Sequence, residues 1–572
     1  MNFWIRSIFL LLTLTQPVLS SANVFVQYGD RFHPEVSEKG MVVSQEKIAS
    51  SVGAEILRKG GNAIDAAVAT GYALAVTLPQ AGNLGGGGFM LIYLAEENRT
   101  VAIDYREMAP VAAHRDLFLN KQGEVDEQLS RFSHRSAGVP GTVAGLNHVL
   151  EKYGSLSLKQ VMAPAIKLAE DGIQVSYPLA FSFQYGEKQL RKNPASSRYF
   201  FNEDGTALSP GDHWRQKDLA RTLKRIALKG TETFYQGDVA KQIVAEMEQG
   251  GGLITLQDLS NYRVAEREPV MGTYRGYQVA SMPPPSSGGI HLIQMLNILE
   301  NWDLKSLGHN SAEYLHRLIE VMRRAYADRS EYLGDPDFYA VPLDRLTDKA
   351  YAQTLVDSIN VNKASVSSDI RPGLNLAEES PQTTHFSVWD KQGNVVTNTY
   401  TLNFSFGSGI SVEGAGFLLN NEMDDFSSKP GVPNAFGLVG GEANAIAGGK
   451  RPLSSMTPTL VFKDGKPVIA TGSPGGSTII TVVLQQLLNV LDFNMNLAEA
   501  TAAPRIHHQW LPDRVWLEEG ISPDTELLLK QKGHITERQR VLGRAQSIMK
   551  SGDVLLGASD NRWPGGAAIS EK

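Results

Sequence analysis

The stretch EESPQTTHFSVWDKQGNVVTNTYTLNFSFGSG, residues 378–409, decides how this chain is read. From Thr383 onward, TTHFSVWD and VVTNTYTLNF flank Gly393-Asn394, which predicts two strands joined by a tight turn. The preceding residues, 359–381 (INVNKASVSSDIRPGLNLAEESP), have no apolar period and read as a solvent-exposed linker. Two threonines and a histidine thus stand where a polar linker meets a strand, and a chain boundary falls between Pro381 and Thr383. A threonine there can be a plain strand edge. It can also be a nucleophile, activated by its own α-amine, provided the chain is cut directly before it. Such an amine, with a reference pKa of roughly 7.7–8, is well poised near neutral pH. The residues alone leave both readings open.

Outward from this point the chain divides. Before the linker, helical patterns dominate: an alanine-rich run up to Val76, two helices across 141–172 broken at Gly154, more helix over 215–249 stopped by Gly250, and amphipathic helices following MPPPSSGG (282–289) and over 312–335. The glycine run 85–88 leads into an apolar strand, FMLIYL. After the linker, paired strands open the second part. TLVFKDGKPVIATG (459–472) repeats the hairpin pattern about Asp464-Gly465, and STIITVVLQQLLNVLD predicts a helix.

At 572 residues the chain can bury a sizeable core. A formal charge of −7 and a pI near 6.0 argue against nucleic-acid or acidic-membrane partners. There is no cysteine, which excludes disulfides, thiolate metal sites and a cysteine nucleophile. The start, MNFWIRSIFLLLTLTQPVLSSAN, carries one early charge at Arg6, an apolar run Ile8–Leu14, and Ser20 and Ala22 in the positions a signal peptidase favours. It predicts a cleaved leader over 1–22, with Asn23 as the new start and a periplasmic or secreted product. The run is too short for a membrane anchor.

No G-x-S-x-G elbow, phosphate loop, dinucleotide fingerprint or H-E-x-x-H is present. GGGG at 85–88 lacks the lysine and hydroxyl of a nucleotide loop. His507 and His508 are adjacent, so on a helix they point apart and make poor co-ligands; a packed or capping role is expected. No cofactor and no metal are expected.

Nine motifs then combine in order. GNLGGGGFM, DYREMAP, GVPGTVAGL, QTTHFSVWD, TYTLNFSFGSG, LLNNEMDDFSSKPGVPNAFGLVGG, KRPLSSMTPTLV, TGSPGGSTII and PRIHHQWLPD resemble bacterial γ-glutamyltransferases from about residue 30 to GASD near the C-terminus. The resemblance implies the N-terminal-nucleophile hydrolase fold, an α+β four-layer αββα sandwich. It also implies a precursor that cuts itself at Gln382-Thr383 into a large subunit, 23–382, and a small catalytic subunit, 383–572, which remain together as a heterodimer.

By the same resemblance Thr383 is the nucleophile and Thr401 the second threonine that helps activate it. Gly475 and Gly476 form the oxyanion hole. Arg106, Ser454 and Ser455 clamp the α-carboxylate of a γ-glutamyl group, while Asn403, Glu422 and Asp425 accept from its α-ammonium. Asp424 is expected at the surface. The residues alone allow duller roles: a β-branched strand position for Thr401, a plain turn for the glycines, and pairing of Arg106 with Asp104 or Glu107.

The implied substrates are small molecules: glutathione and other γ-glutamyl donors, with amino acids, dipeptides or water as acceptors. Glutaryl-cephalosporin acylases share the fold, but their acyl group has no ammonium for an acid at 425 to pair. A non-catalytic exported binding protein would need a dead nucleophile, against the intact TTH, and a generic serine hydrolase lacks its elbow. One position departs from the family pattern: Phe436, in the expected lid loop 429–441, replaces a tyrosine that latches onto the asparagine matching Asn403. A looser gate and more hydrolysis relative to transfer are expected.

Overall fold

The computed structural model describes residues 30–370, 383–432, 434 and 438–572. The leader 1–22, Gln382 and Phe436 lie outside the described residues.

Strand Thr384–Trp389 runs antiparallel to Val395–Thr401, as the opening stretch predicts. This hairpin is the centre of a seven-stranded antiparallel sheet whose order is 567–570, 41–44, 384–389, 395–401, 87–94, 99–105 and 265–267. A second antiparallel sheet of seven strands runs 35–37, 554–559, 546–551, 466–471, 459–463, 277–281 and 270–274. Each sheet contains strands from both sides of the Gln382-Thr383 bond.

Strand alternation sorts the side chains into layers. Met41, Val43, Phe89, Leu91, Trp389 and Val395 of the first sheet meet Ala280, Leu460, Phe462, Ala470 and Ile548 of the second. The opposite face of the first sheet, with Val42, Met90, Ile92, Phe386 and Val388, packs on the helices Lys47–Arg58 and Ala63–Thr77 and their neighbours. The opposite face of the second sheet, with Val279, Val461, Ile469 and Met549, packs on Gly288–Leu299, Ala312–Tyr332 and Thr478–Leu491. The order is helix, sheet, sheet, helix: the αββα sandwich.

The alanine-rich helix Ala63–Thr77 is buried along its whole length, which small side chains allow. Asn62 caps it in a reciprocal box with Asp65, and Asp390, just after strand Thr384–Trp389, accepts from the Ala63 N–H. Two expectations change. Gly288–Leu299 is buried on every side, its polar stripe His291, Gln294 and Asn297 included, because it lies between the second sheet and other helices. The helix Asp238–Gly250 includes Gly250, and Gly251 supplies the left-handed stop.

Candidate active site

The register of the hairpin builds the centre of the site. Thr384 faces Tyr400 across the strands, so one step further Thr383 faces Thr401. Their hydroxyl oxygens stand 3.3 Å apart. Thr401 Oγ1 also accepts from the Asn403 N–H at 2.9 Å. Asn403 has φ of +75°, a left-handed turn that asparagine tolerates, and it donates to the Asn421 carbonyl.

His385 is no base for this threonine. Its ring lies between the sheets, within hydrogen-bond reach of Thr399, Ser387 and Thr397 hydroxyls and stacked where a side chain on Gly472 would stand. Burial pushes its pKa down to about 3, so it is neutral at any working pH.

The glycine run 85–88 is the floor beneath the pair. A Cβ on Gly86 would sit 2.0 Å from the Thr401 carbonyl oxygen, and one on Gly88 would sit 2.5 Å from that of Thr399. Asn83 locks the same place. Its amide donates to the Thr401 carbonyl at 2.9 Å, and its oxygen accepts from Gly86 N–H and the Thr142 hydroxyl.

Thr383 and Thr401 open into a cavity whose wall includes Arg106, Asn403, Glu422, Asp425, Ser454, Ser455 and Gly476. Gly475 and Gly476 have φ of +141° and +56° and lead into the helix Thr478–Leu491. The Thr478 and Ile479 N–H groups turn back onto the Gly475 and Gly476 carbonyls, and the positive end of the helix dipole lies at these glycines.

Arg106 follows strand Arg99–Tyr105 and is 1 % exposed. It pairs with Glu422 and, at 2.5 Å, with Asp425; Glu107 lies 3.6 Å away. Asp104 turns instead to Arg451 and Arg267, although one of its oxygens accepts from the Arg106 backbone N–H. The guanidinium therefore joins the expected carboxylate clamp to the expected ammonium acceptors. Burial pushes the Glu422 and Asp425 carboxyls above their ordinary range despite Arg106, and Glu107 up to about 7.

Asp424 corrects an expectation. It is buried, not at the surface, because the short helical turn Glu422–Asp425 aims it at helix Glu127–Phe132, where it accepts from the Ser130 hydroxyl. His507 and His508 follow the end of helix Leu497–Ala502, with Ile506–His507 a short strand. Both are buried, held by Thr481, Gln509 and Asp513. Among the described residues, His316, Glu320 and His534 bring metal-ligating atoms together. The two rings hydrogen-bond directly at 2.7 Å, and Glu320 is engaged by Arg323 and Arg324.

The γ-glutamyltranspeptidase family model matches residues 49–570. The chain belongs to the γ-glutamyltranspeptidase family. It is 55% identical over 541 residues to the glutathione hydrolase proenzyme of Escherichia coli K12, covering 94% of this chain and 93% of that protein. The structure of the Helicobacter pylori γ-glutamyltranspeptidase matches 62% of this chain and 99% of its own at 46% identity, with a TM-score of 0.57. A cephalosporin acylase from Bacillus halodurans matches 95% of this chain and 98% of its own at 28% identity, with a TM-score of 0.85.

In this γ-glutamyltranspeptidase-family chain, several wall residues had no signal in the sequence. Arg329, Ser477 and Leu438 line the cavity. Arg329 sits inside a helical run rich in charge, where only tertiary contact distinguishes a buried arginine from a solvated one. Asn83 could have been suspected from its place at the head of the glycine run.

Proposed function

We propose that this enzyme is a self-cleaving γ-glutamyltransferase and glutathione hydrolase working through a γ-glutamyl ester on Thr383. The observation that carries the proposal is the Thr383–Thr401 hydroxyl pair at the wall of a cavity that gathers Arg106, Ser454 and Ser455 with Asn403, Glu422 and Asp425.

In the precursor, Thr383 Oγ1 attacks the carbonyl carbon of Gln382. The C–N bond breaks, the nitrogen takes the hydroxyl proton and becomes an amine, and the acyl group rests on oxygen as an ester. Water hydrolyses that ester and leaves subunits 23–382 and 383–572. The match of 62% of this chain to nearly all of the Helicobacter pylori chain fits a separate large subunit of this length.

The freed amine then serves as base. Thr401 orients the hydroxyl and the amine, and Thr383 Oγ1 attacks the γ-carbonyl of a γ-glutamyl donor. Gly475 and Gly476 N–H groups meet the developing oxyanion. Arg106, Ser454 and Ser455 hold the α-carboxylate, and Asn403, Glu422 and Asp425 hold the α-ammonium. The protonated amine returns its proton to the leaving amine. Water, an amino acid or a dipeptide then takes the acyl group. No cofactor enters this chemistry. Phe436, without the hydroxyl of a latch, tilts the partition toward water.

The rival donor is a glutaryl amide. Glu422 and Asp425 share the Arg106 guanidinium, so a group that brings no cation leaves their excess negative charge unbalanced in a desolvated site, a cost of up to about 3–5 kcal/mol. A γ-glutamyl anilide and a glutaryl anilide compared on one preparation test this. Preference for the first by on the order of 10²-fold or more is expected; equal rates overturn the reading.

Residues 1–22 are read as an export leader, which puts the enzyme in the periplasm or the medium. No helix among the described residues is long and apolar enough to cross a membrane. An N-terminus at Asn23 on the purified large subunit is the check.

A further inference from the structure

Arg329 lines the cavity, yet the chemistry above gives it nothing to do. It lies on helix Ala312–Tyr332 and is 5% exposed. Its Nε donates to the Ser287 hydroxyl at 2.9 Å and its Nη2 to the Ser455 hydroxyl at 3.1 Å. Ser287 is itself built into the wall: its N–H and its hydroxyl both donate to the Ser454 carbonyl at 2.8 Å. The segment MPPPSSGG thus backs the serine pair, and Arg329 ties that backing to Ser455.

The donor–acceptor balance gives this contact a consequence. A guanidinium can only donate, so Ser455 Oγ must accept from it, and the serine's own hydrogen is left to point elsewhere. Ser454 is set the same way, because its Oγ accepts from the Met456 N–H at 3.1 Å. Each hydroxyl spends one lone pair on an obligate donor and keeps its own hydrogen for the cavity, which biases both toward donating. Two hydroxyls biased in this way favour an anion over an N–H group. Arg329 also adds positive charge on this side of the cavity, where its field helps keep Asp425 ionised.

We propose that Arg329 is a positioning residue that biases the Ser455 hydroxyl toward donating into the cavity, and so favours γ-glutamyl donors with a free α-carboxylate over those whose α-carboxyl is an amide. The proposal rests on the γ-glutamyl reading of the cavity. It acts through Ser455, so it predicts a binding effect and a coupled one.

The test uses the mature wild-type enzyme, Arg329→Met, Arg329→Lys, Ser455→Ala and the Arg329→Met/Ser455→Ala pair. Intact mass shows that each has cleaved itself. Each is assayed with a γ-glutamyl anilide and with its α-carboxamide analogue. Arg329→Met is expected to raise KM for the free acid at least tenfold with kcat changed less than threefold. It should also shrink the acid-to-amide preference in kcat/KM at least tenfold. The double variant should be no worse than the poorer single one, and Arg329→Lys should recover part of the preference.

An unchanged acid-to-amide preference, or fully additive losses in the double variant, overturns the proposal. If Arg329→Met does not mature, Arg329→Lys decides: a preference equal to wild type counts against it, a reduced preference with preserved kcat supports it. Wild type inactive on both donors would instead sink the γ-glutamyl reading, and this proposal with it.

Discussion

The cavity carries more acid than any single cation can balance, and that excess sets its response to pH. Glu107, Glu422 and Asp425 surround Arg106, and burial raises all three carboxyls above their ordinary range. A raised acid takes up its proton at a higher pH than usual, so acidification removes the negative charge that would hold an α-ammonium. The donor KM is therefore expected to climb as pH falls through the raised carboxyl values, while kcat falls separately as the Thr383 amine base takes up its proton; a pH series of initial rates, resolved into KM and kcat, checks it. A flat KM would mean the carboxyls do not meet the ammonium. At Thr401, replacement by alanine removes the hydroxyl 3.3 Å from the nucleophile. Turnover and self-cleavage should both slow by on the order of 10²-fold, measured by anilide release and by gel. At position 436 the proposed loose gate predicts that Phe436→Tyr raises the ratio of transfer to hydrolysis with a dipeptide acceptor. An unchanged ratio would remove that account. The proposed nucleophile, Thr383, was suggested in the sequence by its place at a chain junction, and the family resemblance, not the residues alone, assigned its role. Arg329 was not legible, because nothing local separates a buried arginine from a solvated one. Asp424 was misread for the same reason, since a tight turn reversed the side on which adjacent residues emerge.

Among the elements, the hairpin of Thr384–Trp389 and Val395–Thr401 owes its position to a floor that has no side chains. Gly86 and Gly88 lie directly against the Thr401 and Thr399 carbonyls, and Asn83 pins the first of these. Gly86→Ala would force the strands apart and cost about 1–3 kcal/mol. Thermal unfolding should register that loss, and the yield of cleaved protein should fall with it, because Thr401 moves away from Thr383. A variant that unfolds and cleaves like wild type would show the floor to be dispensable. The sequence showed these glycines as a loop signal and no more, since close approach depends on a partner strand more than 300 residues away. The hairpins were legible, as period-two patterns about Gly393-Asn394 and Asp464-Gly465 carry their own turns. The helix Gly288–Leu299 was read as amphipathic and is buried all round; periodicity alone does not count how many neighbours an element acquires.

For the whole molecule, the strand order is the decisive fact. Both sheets interleave strands from before and after the Gln382-Thr383 bond, and the first sheet alternates between the two repeatedly. Cutting the chain there leaves two pieces sharing both sheets and the core between them. The mature subunits are expected to co-elute in gel filtration and to unfold in one cooperative transition, with separation only in denaturant. Two resolved transitions would contradict this. The αββα layering could not be read from strand patterns alone, which do not tell which strands pair across hundreds of residues; the resemblance supplied it. The central claim remains that Thr383 leads its strand because it becomes a chain terminus. Intact mass with N-terminal sequencing of the purified protein, beside a Thr383→Ala control, tests this most directly. The account predicts a wild type split into two pieces, one beginning at Thr383, and an uncut control. A correctly folded wild type that remains one chain would leave the threonine without its amine base, and would contradict the mechanism.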